Sequence, residues 1–420
     1  MSRLSRVLHL ATGHYVPFLK PFWNGEEESI VSRWRSGERF LDAPLVLQHR
    51  LVEYLGGNAL CQTLNLGRSA IQVGLAQLAF SADSEVILPA YSCAGVIVPV
   101  LQAGLRPVLA DVGADLNPTL ENIKAAYSEN VKAVIVPHLA GVWNRDMDAI
   151  LAWAAEVGVI VIEDATQSLG LRDSNQRQAG TLGDLAVFST GGGKPAFGPG
   201  GGMLVSRNKQ LASVSFGSNL FAQEPGDAVA MRLDRFISRY RASDRHAAWN
   251  SIVDSISSRM LTWMPNPRKL RSNAPAEFSV WAMADVEAKL ALAQLDKVDE
   301  MIRRRRANGI FWRGQLASLG FCSMRVAPVE ENSHTKFWVS FVGRDAEREA
   351  EILRRGLWKK GVETEPLYTP LHLRSEFSSY RKADLSNTES IWRTTFSLPA
   401  RPNLTDRDRD LMESAIKELR

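Results

Sequence analysis

Between about residues 60 and 206, short apolar runs alternate along the chain with longer amphipathic stretches. The short runs are rich in Val, Ile and Leu, which is typical of buried strands. They are CQTLNL (61–66), EVILPA (85–90), RPVLADV (106–112), VKAVIVPH (131–138), GVIVIED (158–164) and GDLAVFST (183–190). The amphipathic stretches predict helices, the third of them opening at an Asn-Pro start signal; they are SAIQVGLAQLAF (69–80), CAGVIVPVLQAG (93–104), NPTLENIKAAY (117–127) and MDAILAWAAEVG (147–158).

Strands that alternate with helices predict an α/β fold in which a mostly parallel sheet is covered by helices on both faces. Ligands of such sheets bind beyond the carboxyl ends of the strands. A candidate site is therefore expected where the predicted strands end.

The alternation stops after residue 206. The stretch that follows has several Arg and Ser residues, includes the helical pattern AVAMRLDRFISRY and ends in WMPNPRKLRSNAPAE, which we interpret as a linker. From residue 277 the pattern predicts one long amphipathic helix through VWAMADVEAKLALAQLDKVDEMIRRRRANGIFW. Strand-like runs such as KFWVSFVG follow, with helices over AEREAEILRRGLWKKG and DRDRDLMESAIKEL.

The chain is accordingly divided into three parts. We predict a large α/β domain with an N-terminal segment over 1–206, a helical insertion and linker over 207–276, and a small α+β domain over 277–420. A chain of 420 residues is also too long for one simple core.

Composition excludes several classes of protein. Fifty basic residues against 46 acidic ones give a net charge of +4, which does not indicate a nucleic-acid partner but suits a phosphorylated substrate. Cys61, Cys93 and Cys322 are too far apart for a disulfide framework or a metal cluster, and they favour a reducing cytoplasm. The N-terminus is a poor signal peptide, and no window is apolar for long enough to span a bilayer. We expect a cytoplasmic protein without a metal, a membrane anchor or a nucleic-acid partner.

Asp164 emerges at the mouth of the predicted sheet, because it ends the strand GVIVIED. A carboxylate there suits the pyridine nitrogen of pyridoxal phosphate (PLP), whose protonation makes the ring an electron sink. Gln167, three residues on, could hydrogen-bond the hydroxyl oxygen of that ring. The alternative is that Asp164 caps a following helix, and Asp164 taken alone favours this alternative.

Lys194 lies in GGGKPAFGPGGG, directly after the strand GDLAVFST. Many glycines around one lysine suggest a backbone that approaches a flat cofactor while the amine forms a Schiff base with it. Ser189, five residues earlier, could bind the cofactor phosphate. A Walker phosphate loop is excluded because GxxxxGK[ST] is absent and Pro195 follows the lysine. A mobile Gly-rich surface loop remains the other interpretation.

A third segment, LNLGRSAIQVGL, predicts a strand, a turn at Gly67 and a helix that begins near Ser69. Backbone N–H groups at the start of a helix bind phosphate well. Gly67, Arg68 and Ser69 are therefore the predicted phosphate cup, with Ser69 as the side-chain donor. A plain Ser N-cap is the alternative.

With these segments in place, the chain resembles the DegT/DnrJ/EryC1/StrS family of fold-type-I PLP enzymes, which are mostly sugar aminotransferases. The resemblance rests on an ordered set of segments that covers nearly the whole chain. In order they are PFWNGEEESIVSRWRSGERFLDAPLVLQHRLVEYLGG, GRSA, PAYSC, PVLADV, VPHLAGVWNRDMDAI, IEDATQSLG, FSTGGGK, the GGG at 200–202, LALAQLDKVDEMIRRRRAN, EPLYTPLH and FSLPARPNLT.

The resemblance implies an aspartate-aminotransferase-like fold and a homodimer whose active site lies at the subunit interface. It assigns the pyridine-nitrogen contact to Asp164, the ring-oxygen contact to Gln167 and the Schiff base to Lys194. It also implies L-glutamate as the amino donor and a keto-sugar nucleotide as the acceptor. Relatives that carry histidine at the lysine position catalyse dehydration, so Lys194 favours transamination.

Some positions depart from the family pattern. Arg68 stands where a small residue is usual, and Cys93 stands where many relatives have an aromatic residue that stacks on the cofactor ring, a role for which Tyr91 is the possible substitute. Gly200 replaces a residue that is often Glu. The Asn-containing segment with which a neighbouring subunit contacts the phosphate is not recognisable, and 207–276 is longer than usual. These departures support the alternative of a non-sugar acceptor.

A few other polar residues keep two interpretations. His138 and His372 are candidates for the cofactor mouth or for structural hydrogen bonds. The run Arg303–Arg306 is most simply a solvated helix face, with diphosphate binding as the alternative.

The predicted mechanism is a ping-pong transamination with Lys194 as the base. Three other classes remain open. They are a PLP enzyme with a non-sugar substrate, a non-catalytic PLP-binding or regulatory protein, and a scaffold without a cofactor.

Overall fold

The computed structural model describes residues 9, 12–207, 221–241, 278–321, 324–328 and 331–419. The α-helices within these ranges are α1 (Gly25–Arg35), α2 (Ala43–Tyr54), α3 (Gly67–Gln77), α4 (Ala94–Gln102), α5 (Leu120–Ala126), α6 (Met147–Val157), α7 (Gly226–Arg241), α8 (Asp285–Leu295), α9 (Val298–Ala317), α10 (Ala346–Lys359), α11 (Ser386–Thr394) and α12 (Asp406–Lys417). The strands are β1 (Leu60–Leu64), β2 (Glu85–Pro89), β3 (Arg106–Ala110), β4 (Val131–Pro137), β5 (Ile160–Asp164), β6 (Leu185–Ser189), β7 (Gly202–Ser206), β8 (Met324–Val326), β9 (Phe337–Phe341), β10 (Glu365–Pro366), β11 (Arg381–Lys382) and β12 (Thr395–Leu398).

The large sheet has eight strands in the order β1-β7-β6-β5-β4-β2-β3-β11. Strand β7 is antiparallel to both of its neighbours, and every other pair in the sheet is parallel. A second sheet, with the order β10-β12-β9-β8, is antiparallel throughout. The structure therefore has the mostly parallel sheet that the apolar pattern predicted.

The large sheet is buried on both faces, because successive side chains of a strand point to opposite sides. In β2, Val86 and Leu88 pack into a core that includes residues of α3 and α4. Ile87, between them, packs into the opposite core with residues of α5 and α6. This double burial explains why the strands read as continuous apolar runs.

All six predicted strands of the large sheet are present, but the sequence analysis missed β7 and β11. Helix α5 begins at Leu120, because Thr119 rather than the Asn-Pro pair caps it and accepts a hydrogen bond from the backbone N of Asn122. The fold class is confirmed nevertheless.

The single long helix predicted from residue 277 is wrong. The chain before Asp285 is extended because Asn65 pairs with it, donating from its backbone N to the carbonyl O of Trp281 at 3.0 Å. The helical pattern then divides into α8 and α9 at Asp296 and Lys297. The predicted linker at 263–277 lies outside the described residues.

The division into three domains stays a prediction. Residues of α8 share one hydrophobic core with α1 and α2, and β11 pairs with β3 at the edge of the large sheet. Among the described helices, none combines the length and the apolar character that crossing a membrane requires.

Candidate active site

The topology brings the carboxyl ends of β1, β2, β4, β5 and β6 to the same edge of the sheet. A cavity of about 200 Å³ lies at this edge. All the predicted site residues except Ser69 line it, namely Gly67, Arg68, Cys93, Asp164, Gln167, Ser189 and Lys194. Segments that are far apart in the sequence thus meet in one place.

Asp164 is the last residue of β5, and its side chain faces the cavity while the residue is only 8% exposed. Its Oδ1 accepts a hydrogen bond of 3.0 Å from the backbone N of Thr166. The residues that follow form turns and not a helix, so the helix-cap alternative is wrong. No lysine or arginine in the described ranges forms an ion pair with this carboxylate.

Lys194 ends a tight turn in which its backbone N donates to the carbonyl O of Gly191 at 3.2 Å. Gly193 has a φ of +79°, a conformation that glycine adopts without strain. The Nζ of Lys194 donates to the Oγ1 of Thr166 at 3.1 Å. Sequence reasoning missed Thr166, although its position between Asp164 and Gln167 was a usable signal.

Helix α3 begins at Gly67, and its N-terminus lies beside Ser189 at the end of β6. A Cβ at Gly67 would come within 2.9 Å of the Cβ of Ser189, so the two segments meet this closely only with glycine. The Oγ of Ser189 accepts from the backbone N of Gly191 at 3.2 Å and donates to the carbonyl O of Gly201 at 3.1 Å. The N–H groups of a helix start and one hydroxyl therefore lie together, which suits an anion.

Arg68 lines the cavity, and its guanidinium lies 4.9 Å from the centre of the Phe278 ring. Ser69 is different, because it is fully buried behind the cavity wall. Its hydroxyl donates to the Oδ1 of Asn65 at 2.7 Å. Ser69 is also inside α3 and is not its N-cap, which is Leu66. Its predicted side-chain contact with the phosphate stays a prediction.

Gln167 and Cys93 complete the predicted set. The Oε1 of Gln167 accepts from the backbone N of Ala140 at 3.0 Å, which leaves its Nε2 for another partner. Cys93 is exposed and precedes α4. Tyr91 is buried and stacks on Tyr368 with ring centres 6.0 Å apart, and it is not part of the cavity lining.

His138 is a buried, fully hydrogen-bonded residue next to the cavity. Its Nε2 donates to the Oε1 of Glu163 at 2.8 Å, since its Nδ1 accepts from the backbone N of Asn144 at 3.0 Å. Burial alone would raise the pKa of Glu163, but the hydrogen bonds from His138 and from the backbone of Gly180 and Leu182 lower that pKa below its usual value. This arrangement favours the structural interpretation of His138.

His372 pairs with the Oε1 of Glu389 at 3.2 Å and does not line the cavity.

The solvated-face interpretation of the arginine run holds for Arg303 and Arg304 but is wrong for Arg305. Arg305 is only 5% exposed, and its Nη2 lies 3.5 Å from the carbonyl O of Pro195. Burial lowers the pKa of its guanidinium to about 10.

At Gly200, where the family often has Glu, a carboxylate from another element takes the space. A Cβ at Gly200 would lie 2.6 Å from the Oε1 of Glu287 in α8. That oxygen accepts from the Nε of Arg232 in α7 at 2.7 Å, and the two other nitrogens of the same guanidinium bind Glu224. A side chain at Gly200 would therefore require Glu287 and Arg232 to shift.

The model of one protein family matches residues 34–248 and 279–417, which is most of the chain. The chain belongs to the DegT/DnrJ/EryC1/StrS aminotransferase family. It is a PLP-dependent aminotransferase, as the resemblance of its motifs implied.

Two curated proteins and one solved structure are similar to this aminotransferase over nearly its whole length. The spore coat polysaccharide biosynthesis protein SpsC of Bacillus subtilis is 25% identical over 422 residues, covering 97% of both chains. GDP-perosamine synthase of Vibrio cholerae is 23% identical over 405 residues, covering 93% of this chain and 95% of the relative. The PLP form of Spr1654 from Streptococcus pneumoniae superposes with a TM-score of 0.72 at 19% identity, over 96% of this chain and 98% of that one. The last similarity shows that the fold is that of a PLP aminotransferase.

Proposed function

We propose that the cavity at the strand ends holds PLP and that the enzyme moves an amino group from L-glutamate to a keto-sugar nucleotide in two half-reactions. The observation that carries this proposal is that Asp164 and Lys194 line the same cavity. In the described part of the chain neither of them has an ionic partner. The two residues fit the cofactor, which offers a protonated ring nitrogen to the carboxylate and a carbonyl carbon to the amine.

The other lining residues fit the remaining parts of the cofactor. The backbone N–H groups at the start of α3, the hydroxyl of Ser189 and the guanidinium of Arg68 would hold the phosphate. Ser69 would contribute its backbone N–H to this group. The free Nε2 of Gln167 would hold the ring hydroxyl, and Cys93 would contact the ring at the mouth of the cavity.

When bound, PLP supplies a ring that withdraws electrons from the α-carbon of the substrate. Asp164 keeps the ring nitrogen protonated, because a buried carboxylate favours a cationic neighbour. Lys194 Nζ takes the proton from the α-carbon, and the hydroxyl of Thr166, which accepts from Nζ at 3.1 Å, orients it. Ile135, Pro137 and Leu139 line the cavity and limit the access of water.

The visible spectrum tests this assignment of Lys194. Purified enzyme should show a yellow band that changes on addition of L-glutamate. The Lys194→Ala variant should lose turnover by at least about 100-fold, because the α-carbon has no base. Lys359→Ala is the matched control, since Lys359 is exposed on α10.

Native turnover of Lys194→Ala would exclude Lys194 as the base. A wild-type band that does not respond to glutamate would indicate another donor, another PLP reaction or a binding role. If the purified enzyme shows no yellow band even after PLP is added, the proposal is wrong.

The names of the relatives support a sugar acceptor, since one is a GDP-perosamine synthase and another acts in polysaccharide biosynthesis. A panel of keto-sugar nucleotides, simple ketones and keto acids, offered to the enzyme after treatment with glutamate, tests this part. Faster turnover of the simple ketones or keto acids would contradict it.

A homodimer with the site at its interface is part of the proposal. Apolar side chains near α2 support it, because Leu41, Leu45 and Val46 are 81%, 46% and 39% exposed. Sedimentation at the mass of one 46.5 kDa chain would contradict it.

We also propose a cytoplasmic location, supported by the free thiols of Cys61 and Cys93. Recovery of the protein outside the cytoplasmic fraction would contradict that location.

A further inference from the structure

A second cavity, of about 350 Å³, borders the turn that carries Lys194. Its lining comes from four places, namely the N-terminal segment, the turn, helix α7 and strand β10. It includes Leu19, Gly192, Phe197, Arg235, Phe236 and Arg239.

The charge of this cavity comes from Arg235 and Arg239. Both are exposed, and neither has an ion pair or hydrogen bond with another residue that the structure describes. The other charged lining residues are neutralised, since Arg232 pairs with Glu224 and Glu287 at 2.7 Å and Glu365 pairs with Lys336. Like charges four residues apart weaken a helix by a few tenths of a kcal/mol. An anion bound between them would relieve this repulsion.

The cavity also has an aromatic wall. Phe197 and Phe236 meet edge to face with ring centres 5.5 Å apart, and Trp23 lies 5.0 Å from Phe236. Two arginines beside aromatic rings are suited to a diphosphate that carries a planar base.

The turn that contains Gly192 and Lys194 borders both cavities. Gly192 lines the second cavity and Lys194 lines the first, and their Cα atoms are no more than about 8 Å apart. The fold does not require glycine at Gly192, since φ there is not positive and a Cβ would meet only the ring of Phe197 at 3.4 Å. The absence of a side chain leaves room for a ligand that crosses the turn.

We infer that the cavity on α7 binds the nucleoside diphosphate part of the acceptor, with Arg235 and Arg239 on the diphosphate, while the keto group extends across Gly192 to Lys194. This inference rests on the proposed function and adds residues that determine the choice of acceptor. An acceptor that lacks the diphosphate cannot contact Arg235 or Arg239.

Direct binding tests the inference without turnover. Titration calorimetry with UDP, GDP and inorganic pyrophosphate compares wild-type holoenzyme with Arg235→Gln, Arg239→Gln and the control Arg303→Gln. Each α7 variant should bind UDP or GDP about 10- to 100-fold more weakly, the effect of losing one hydrogen-bonded charge. Arg303→Gln should bind as wild type does, because Arg303 is exposed on α9 and does not line the cavity.

Equal affinities in all four proteins would overturn the inference, and so would weaker binding in Arg303→Gln alone, which would place the diphosphate on α9. Pyrophosphate that binds as tightly as UDP and GDP would overturn the assignment to a nucleoside diphosphate. The wild-type spectrum with glutamate separates the two proposals. If the band responds while no nucleotide binds, the inference fails and the proposed aminotransferase reaction stands.

Gly192→Val tests the crossing of the turn. Its side chain should lower kcat/KM for the nucleotide-linked acceptor while the Kd for UDP and GDP stays as in wild type. Unchanged kcat/KM would overturn the crossing, and a raised Kd would show that the valine distorts the arginine cavity instead.

Discussion

Asp164 and Lys194 carry opposite charges in one cavity, yet no ion pair joins them to each other or to another described side chain. A buried carboxylate without a cation is costly, because burial removes its hydration. Asp164 is only 8% exposed, so this cost applies to its carboxylate whenever no cation is bound beside it. The cofactor's ring nitrogen offsets the cost on binding, and Asp164 therefore links cofactor binding to stability.

Asp164→Asn should separate these two effects. We expect the amino-donor half-reaction to slow by about 100- to 1000-fold, because Asn cannot keep the ring nitrogen protonated. The cofactor-free variant should be at least as stable as cofactor-free wild type, since a buried charge is removed. Rapid-mixing absorbance with L-glutamate measures the first effect and urea unfolding the second.

Asp345→Asn, at an exposed position before α10, is the control and should change neither quantity. A native half-reaction rate in Asp164→Asn would exclude the ring-nitrogen role.

At the scale of elements, the site depends on how closely α3 approaches the end of β6. Strand β7 sets this geometry, because Gly202 pairs with Leu64 of β1 on one side and with Ser189 of β6 on the other. A side chain at Gly202 would overlap the carbonyl of Leu66, so glycine lets β1 turn directly into α3. The start of α3 then lies beside Ser189.

Gly67→Ala should disturb this junction, because its Cβ would lie 2.9 Å from the Cβ of Ser189. We expect a loss of about 1–3 kcal/mol in unfolding free energy, typical of overpacking, together with weaker PLP binding. Gly314→Ala is the matched control, since a Cβ there meets nothing within 4 Å. It should stabilise the protein by about 0.5–1 kcal/mol.

Urea unfolding and titration of the cofactor-free protein with PLP measure both variants. Unchanged stability and PLP affinity in Gly67→Ala would show that the junction tolerates a methyl group and that close approach is not what holds the site.

At the scale of the whole molecule, the C-terminal part of the chain contributes directly to the large sheet. Arg381 of β11 donates two hydrogen bonds to Glu85 of β2, at 3.0 and 2.7 Å, and β11 itself pairs with β3. Within the C-terminal part, His334 packs against α9, where a Cβ at Gly309 would lie 2.6 Å from its Nε2. The parts on either side of the segment 242–277 are thus closely packed together.

His334 should make the stability of the whole molecule depend on pH. Burial, then the nearby Arg306, Arg313 and Arg305, lower its pKa to about 3 from an ordinary 6.5. The unfolded chain therefore takes up a proton below pH 6.5 that the folded chain takes up only near pH 3. This histidine contributes its stability above pH 6.5, and lowering the pH from 7 to 5 should remove about 2 kcal/mol.

Urea unfolding at pH 7 and pH 5 measures this loss in wild type and in His334→Asn. Asparagine suits the positive φ of 45° at this position and does not titrate. The variant should lose about 2 kcal/mol less than wild type over the same interval. An identical pH dependence in both proteins would contradict burial of a neutral His334.

Local sequence determined much of the protein. The six strands of the parallel region were predictable because strands buried on both faces need continuous apolar runs, which leave a clear mark in the sequence. The ordered motifs around Asp164, Gln167, Ser189 and Lys194 led to the family, and the family match confirms it. The positions of Gly67 and Lys194 after strands also predicted that they would lie at one edge, as they do.

Tertiary structure decided the features that depend on partners distant in sequence. Residues 280–284 have a helical pattern but are extended, because Asn65 at the end of β1 offers them hydrogen bonds. Arg305 has the same local signal as Arg303 and Arg304, yet packing of α9 against the turn of Pro195 buries it. Local sequence encodes the propensity and periodicity of a segment, whereas the partner that satisfies each polar group is fixed only when distant segments meet.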